Sequence, residues 1–144
     1  MRPKVETASL LASPDDTEAQ FYEALQQGDI EKLMDVWCDD DDIVCVHPGG
    51  PRAVGWRAIR STFEAIFANG PVPVQPEKIK RVLTTGSAVH NVLERVSVNA
   101  GTAWVIATNV YVKTPRGWRM AAHHASPGSA SEPPELADSP STLH

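Results

Sequence analysis

The chain has 144 residues, of which 42% are hydrophobic and 22% charged, and its formal net charge is -5. This length fits one domain with a real core, and no stretch approaches the ~18 consecutive apolar residues of a membrane span. An acidic chain without a basic run is a poor nucleic-acid binder, because displacing counterions from phosphates needs clustered Lys and Arg. Since the N-terminus has no signal-peptide core and the two cysteines match no disulfide framework or zinc site, a cytoplasmic protein is expected.

Both ends of the chain have a composition typical of flexible segments. Residues 127–144 hold four of the twelve prolines and four serines, and their large apolar side chains are limited to Leu136 and Leu143. Such a tail buries too little apolar area to offset the entropy lost on ordering. Residues 1–13 look similar, so the folded domain is predicted to span residues 14–126.

Three helices are predicted in the first half of the domain. The first begins after Ser13, which can cap it, and ends at Gly28. A short second helix follows Asp29. A β-rich run over 43–47 comes next, and then the third helix, whose apolar side chains repeat at i, i+4, i+7 and i+8: Ile59, Phe63, Ile66 and Phe67.

In the second half the apolar period changes from 3.6 to 2. Strands are predicted at 78–84, 88–98, 102–113 and 118–125, separated by turns rich in Gly, Asn and Pro. Because short turns between long strands force antiparallel pairing, these strands form a meander. The prediction is an α+β fold, with three N-terminal helices packed on a curved antiparallel sheet.

Both faces of the predicted sheet are substantially apolar, although a sheet with one face in water should alternate cleanly between apolar and polar residues. Helices can cover one face, so the other is expected to meet a second copy of the chain. The sequence therefore predicts a homodimer through the outer sheet face.

No motif with a built-in mechanism is present, which leaves polar residues in apolar strands as the candidates for chemistry. His124 shares a strand face with Trp118 and Met120, so it is either a pocket acid/base or a satisfied core histidine. His47 lies where a strand enters a glycine turn, a common place for pocket residues and also for structural histidines. Neither a metal nor a cofactor is predicted.

Strand alternation also groups Asn91 with Arg95, and Asn109 with Tyr111. If these faces turn toward the helices, they place two amides, a guanidinium and a phenol at one cavity, where Arg95 could bind an anion. Alternatively, Arg95 pairs with a carboxylate or reaches solvent. Alternation alone does not say which face of the strand is the inner one. If Asn91 and Arg95 face the helices, His90 and Glu94 lie on the opposite face and would belong to the dimer interface.

Aromatic side chains are the remaining candidates for a pocket. Tyr22, Trp37 and Phe63 are core residues by default, but an aromatic-lined pocket would use the same residue types.

The order helix–helix–strand–helix–meander resembles the nuclear transport factor 2-like (SnoaL-like) superfamily. The segments that carry the resemblance are 21–29, 42–49 and 117–126. In the last of these, Trp118, His124 and Ser126 have the spacing found at the end of the calcium/calmodulin-dependent protein kinase II association domain. The resemblance implies a cone-shaped sheet capped by the helices (a cystatin-like roll) and dimers through its outer face.

Relatives of this kind include isomerases, dehydratases, polyketide cyclases, small-molecule binders and an oligomerisation module. The resemblance and the residues together predict a homodimeric domain that binds a small molecule in its pocket and is a candidate cofactor-free isomerase or lyase of unknown substrate. His124 would be its catalytic residue, and a set of six residues would bind the ligand: Tyr22, Trp37, His47, Asn91, Arg95 and Asn109. The alternative is an association module without catalysis.

Overall fold

The computed structural model describes residues 11–138. The elements in chain order are α1 (Pro14–Gln27), α2 (Ile30–Met34), β1 (Val44–Val46), β2 (Arg52–Val54), α3 (Trp56–Phe67), β3 (Val74–Leu83), β4 (Ser87–Val98), β5 (Gly101–Thr114) and β6 (Gly117–Ala125). Within the described residues no helix is both long enough and apolar enough to cross a bilayer. The three helices and the four long strands confirm the predicted α+β class, whereas the short strand β2 was not predicted.

The first two helices begin as their sequences predict. The hydroxyl oxygen of Ser13 accepts a hydrogen bond from the backbone N–H of Asp16 at 3.1 Å, which caps α1. Gly28 ends this helix with φ of 67°, a left-handed conformation that costs glycine little. The side chain of Asp29 then caps α2 by accepting from the N–H of Lys32 at 3.0 Å.

A single six-stranded sheet within the described residues has the order β2-β1-β6-β5-β4-β3. Neighbouring strands are antiparallel except β1 and β6, which are parallel. The helices pack on one face, which we call the inner face; the opposite one is the outer face. Phe21 of α1 and Phe63 of α3 are fully buried against the inner face.

The inner face of β4 is the one that carries His90 and Glu94, both buried. Asn91 and Arg95 lie on the outer face, so the interpretation that turned them toward the helices is wrong. On β5 the predicted pair Asn109 and Tyr111 does face inward, and both are fully buried. Asn91 pairs with Thr108 in the β4–β5 register, which leaves these two side chains together on the outer face.

A β-bulge in β6 decides which of two adjacent histidines faces the helices. Tyr111 pairs with Met120 but Val110 pairs with Ala122, so Ala121 is an extra residue on β6. A bulge reverses the alternation of the residues that follow it. Met120 is therefore buried before the bulge, and His123 rather than His124 is buried after it.

The ends of the predicted domain have contacts in the structure. Leu11 is buried, and its carbonyl accepts from the N–H of Trp118 at 2.9 Å. At the other end Ser129 forms an isolated bridge with Trp104 of β5. Residues 1–10 and 139–144 of the predicted flexible ends lie outside the described residues, and the domain bounds stay a prediction.

Candidate functional site

A cavity of about 300 Å³ lies between α1, α3 and the inner face of the sheet. Its walls are mostly apolar, formed by side chains such as Phe21, Phe63 and Val105. Three of the lining residues carry ionisable groups: His47, Glu94 and His123. A largely apolar cavity with a few convergent polar groups is typical of a small-molecule site.

Glu94 places a carboxyl group in this apolar wall. The residue is 7% exposed, and burial raises the pKa of its carboxyl to about 7. The hydroxyl of Tyr22 opposes this shift by donating to Glu94 Oε2 at 2.7 Å, whereas the nearby Glu18 adds to it. The carboxyl of Glu94 is therefore poised to gain or lose a proton near neutral pH.

Asn109 connects Tyr22 with His123. Its amide nitrogen donates to the Tyr22 hydroxyl oxygen at 3.0 Å and to Glu18 Oε2 at 3.3 Å. Its carbonyl oxygen lies 2.6 Å from Nδ1 of His123. Because that oxygen can only accept, His123 Nδ1 carries the proton and donates. These bonds form a continuous chain of side chains: His123, Asn109, Tyr22 and Glu94.

His123 is neutral in the folded protein. Burial lowers its pKa to about 3, and the neighbouring imidazoles of His47 and His124 add to the shift. With the proton fixed on Nδ1, the lone pair of Nε2 is available as an acceptor, and no hydrogen bond to Nε2 is present among the described residues. Since His123 lines the cavity, this nitrogen is suited to accept from a bound molecule.

His47 contributes the third polar group and is held in place from α3. The hydroxyl of Thr62 donates to the carbonyl of Ile59 at 2.7 Å, so its oxygen accepts from His47 Nε2 at 2.9 Å. Burial lowers the pKa of His47, and its ring packs edge-on against Phe63 with centroids 4.7 Å apart. His47 is therefore a second neutral imidazole at the cavity.

The structure brings together only part of the predicted ligand-binding set. Tyr22, His47 and Asn109 belong to the cavity or to the hydrogen-bonded chain behind it. Trp37 is buried and lines a separate surface cleft of about 660 Å³ with Trp56 of α3.

The other predicted site residues lie on the outer face. Asn91 donates to Thr108 Oγ1 at 3.2 Å, and Arg95 forms an ion pair with Glu77 at 2.5 Å. The structure places His124 there too, exposed to solvent, rather than in the pocket. Sequence reasoning missed Glu94 and His123 as cavity residues. An acid inside an apolar strand was the available signal for Glu94, whereas the bulge that turns His123 inward left no signal in the residue pattern.

Comparisons with known proteins agree with this architecture. The family model described as SnoaL-like domain matches residues 15–130. A proposed calcium/calmodulin-dependent protein kinase type II association domain from Thiobacillus denitrificans has a similar structure, with a TM-score of 0.76 and 29% identity over 82% of this chain and 97% of that chain. No curated protein sequence matches this chain.

Two further solved structures are similar. A proposed dehydratase of the NTF2-like family from Streptomyces avermitilis is 27% identical, with a TM-score of 0.69 over 86% of this chain and 96% of that one. A Nostoc punctiforme protein described as having a cystatin-like fold is 14% identical, with a TM-score of 0.68 over 85% and 97% of the two chains. The latter likeness concerns the fold alone and agrees with the predicted cystatin-like roll.

Proposed function

Since the chain belongs to the SnoaL-like family, which includes ligand-binding proteins, isomerases and dehydratases, we propose that it is a cofactor-independent isomerase or lyase acting on an apolar small molecule in the 300 Å³ cavity. One observation carries the proposal: the carboxyl of Glu94 lies in an apolar wall with a pKa of about 7. A general acid/base works best when its pKa lies near the working pH.

In this proposal Glu94 moves the proton. Its Oε2 is fixed by the Tyr22 hydroxyl, whereas no hydrogen bond to Oε1 is present among the described residues. Oε1 is therefore the atom that takes a proton from a C–H bond of the substrate. In an isomerisation it returns the proton to another carbon, and in an elimination it gives the proton to the leaving group, whose bond to the neighbouring carbon breaks as the double bond forms. The apolar wall favours this step, because a poorly solvated carboxylate is a stronger base than one in water.

His123 orients the substrate. Its neutral imidazole presents the Nε2 lone pair to the cavity, so it binds a hydroxyl or N–H group rather than a carboxylate. In the described part of the chain, no Lys or Arg lines the cavity. The expected substrate is therefore an apolar, uncharged molecule with one hydrogen-bond donor, in place of the anion that Arg95 suggested. The 27% identity to the proposed Streptomyces avermitilis dehydratase supports a lyase.

A generic carbon acid tests the base without knowledge of the substrate. With 5-nitrobenzisoxazole, a base that removes the ring C–H proton breaks the N–O bond and releases a coloured cyanophenolate. We expect turnover that rises with pH with a midpoint near 7, and a loss of about 100-fold or more in Glu94→Gln. Glu77→Gln, which removes a carboxylate on β3, is the control. A rate that Glu94→Gln leaves unchanged would contradict the proposal.

We also propose that the protein forms a homodimer through the outer sheet face. Val82 of β3, Val89 of β4 and Val110 of β5 are register neighbours on that face, and the first two are 66% and 40% exposed. An exposed apolar row of this kind is typical of an interface. The similarity to a proposed association domain supports the same assembly.

A cytoplasmic location is proposed as well, supported by the free thiols of Cys38 and Cys45.

Light scattering tests the dimer directly. The wild-type protein should have about twice the chain mass of 15.6 kDa, and Val89→Glu should halve the measured mass because it places a charge in the apolar row. Ser61→Glu, at an exposed position of α3 and therefore outside the outer sheet face, is the control for an added charge. A monomeric wild type at micromolar concentration would refute the dimer and leave the chemistry of the cavity as a separate question.

A further inference from the structure

A second polar cluster lies where the N-terminal turns of α1 face β4. It consists of Asp15, Glu18 and His90, whose nearest ligand atoms all lie within 4.8 Å of one another. We propose that this Glu18 cluster binds one divalent metal ion of the zinc class. The inference goes beyond the proposed function, which needs no metal, and does not depend on it.

The backbone brings the three side chains together. Asp15 and Glu18 are three residues apart on α1, so they project from the same side of the helix. His90 is on the inner face of β4 and is 2% exposed. Two carboxylates and one imidazole therefore converge from two elements, as in sites where nitrogen and oxygen ligands bind zinc.

The strongest observation is the state of His90 Nδ1. Among the described residues this buried nitrogen has no hydrogen-bond partner, although it lies only 3.0 Å from Glu18 Oε2. The carboxylate oxygen is close to the nitrogen but is not aligned for an N–H to point at it. Two zinc bonds of roughly 2.1 Å at the tetrahedral angle put their ligand atoms about 3.4 Å apart, with neither atom on the other's lone-pair axis. The observed pair is misaligned for a hydrogen bond, and its 3.0 Å separation is within about half an ångström of the value for two ligands of one ion.

The surroundings of the Glu18 carboxylate also support a bound metal ion. Its side chain is 5% exposed, and the hydrogen bonds it accepts come from neutral groups, the Tyr111 hydroxyl at 2.7 Å and the Asn109 amide at 3.3 Å. No Lys or Arg forms an ion pair with Glu18 within the described residues. A buried carboxylate needs compensating charge, and a divalent ion bound to His90 would supply it. The two neutral donors would then orient Glu18 as a ligand.

An ion can reach this site from the surface. The Asp15 side chain is 63% exposed and pairs with Arg81, whose Nε lies 2.9 Å from Asp15 Oδ1. Because this ion pair is exposed, it contributes little to stability, and Asp15 can turn toward a metal ion at a small cost in free energy. The donor set contains an imidazole and no thiolate, which favours Zn²⁺ or Mn²⁺ over Mg²⁺ and Ca²⁺.

Calorimetric titration of the chelator-treated full chain with ZnCl₂ tests the proposal. We expect one saturable equivalent per chain, and dissociation constants at least about tenfold higher in His90→Gln and Asp15→Asn. Asp16→Asn and His124→Gln change an adjacent acid and an exposed histidine, and should bind as wild type does.

Substitution with Co²⁺ gives a second measurement. Its visible absorption should change in His90→Gln, because an imidazole ligand is lost. Asp15 is exposed, so the Asp15→Asn variant is expected to fold normally and keeps the test valid if a buried variant does not fold. No saturable Zn²⁺ binding, or binding that Asp15→Asn and His90→Gln leave unchanged, would overturn the site. Either outcome leaves the role of Glu94 as it was.

Discussion

Replacing Glu94 by glutamine should make the protein more stable at neutral and alkaline pH. Glutamine has nearly the same shape as glutamate and keeps an oxygen that can accept from the Tyr22 hydroxyl, but it cannot ionise. The folded protein holds this carboxyl with a pKa of about 7, against 4.5 for the same group in water. The difference measures how much folding disfavours the charged form.

The sign and size of the effect follow from proton binding. Between pH 4.5 and 7 the unfolded chain has lost this proton while the folded chain keeps it, so the free energy of unfolding falls as pH rises. At 1.36 kcal/mol for each pKa unit, the total loss is about 3 kcal/mol above pH 7. Glu94→Gln should abolish this loss.

His123 has the opposite dependence. Its pKa falls from 6.5 to about 3 on folding, so below pH 6.5 the unfolded chain binds a proton that the folded chain does not. Stability from this group falls as pH drops, by about 5 kcal/mol in total at pH 3. Between pH 4.5 and 6.5 the two dependences oppose each other, and the wild-type curve alone should be nearly flat there.

The assay therefore compares the free energy of unfolding of wild type with that of Glu94→Gln at each pH. Urea titrations from pH 4.5 to 8 give the free energy of unfolding of wild type and of Glu94→Gln, and the variant's advantage should grow by about 3 kcal/mol over that range. The other groups that shift the pKa of Glu94, the Tyr22 hydroxyl and the Glu18 carboxyl, are unchanged in the variant. Glu64→Gln removes an exposed carboxylate and should show no such trend. A flat difference for Glu94→Gln would refute the reasoning.

Four other variants test separate parts of the structure. Tyr22→Phe removes the hydroxyl that lowers the pKa of Glu94, so the midpoint of the pH–rate profile should move upward and the rate at pH 7 should fall about tenfold. His123→Gln should become more stable by about 3 kcal/mol as pH falls from 6.5 to 4.5 in urea titrations, because the Glu94 dependence is then unopposed, whereas wild type stays nearly level. Phe63→Ala should cost about 3–5 kcal/mol of unfolding free energy and should let larger apolar probes bind. Gly28→Ala places a side chain at φ of 67° and should cost about 1 kcal/mol, whereas wild-type stability would contradict the role of this cap.

The fold could be predicted because local signals and the apolar period agreed. Ser13, Gly28 and Asp29 carry chemistry that acts within one helical turn, and the structure uses each as the sequence indicated. The period of 2 after residue 74 similarly fixes strands that pair through short turns. The short strand β2 was missed because three residues, Arg52–Val54, contain too few positions for a period to appear.

The site could be predicted only in part, because it depends on which way each strand faces. On β4 both faces carry polar and apolar residues, so the pattern did not distinguish the inner face with Glu94 from the outer face with Arg95. On β6 strict alternation put His124 beside Met120, and one extra residue, Ala121, reversed the outcome. A bulge arises from how two strands pair, and a single strand's sequence does not encode it.

The two opposite pKa shifts at the cavity have one physical cause and favour function over stability. Burial in an apolar wall disfavours the charged form of any group, so it raises the pKa of Glu94 and lowers that of His123. Both shifts lower the stability of the folded protein in part of the pH range, and uncharged residues of similar size would avoid the loss. The protein nevertheless keeps both ionisable groups, and Tyr22 and Asn109 connect them through hydrogen bonds. A pair of groups whose pKa values are pushed apart is what proton transfer needs, since one can hold a proton while the other accepts a hydrogen bond at the same pH.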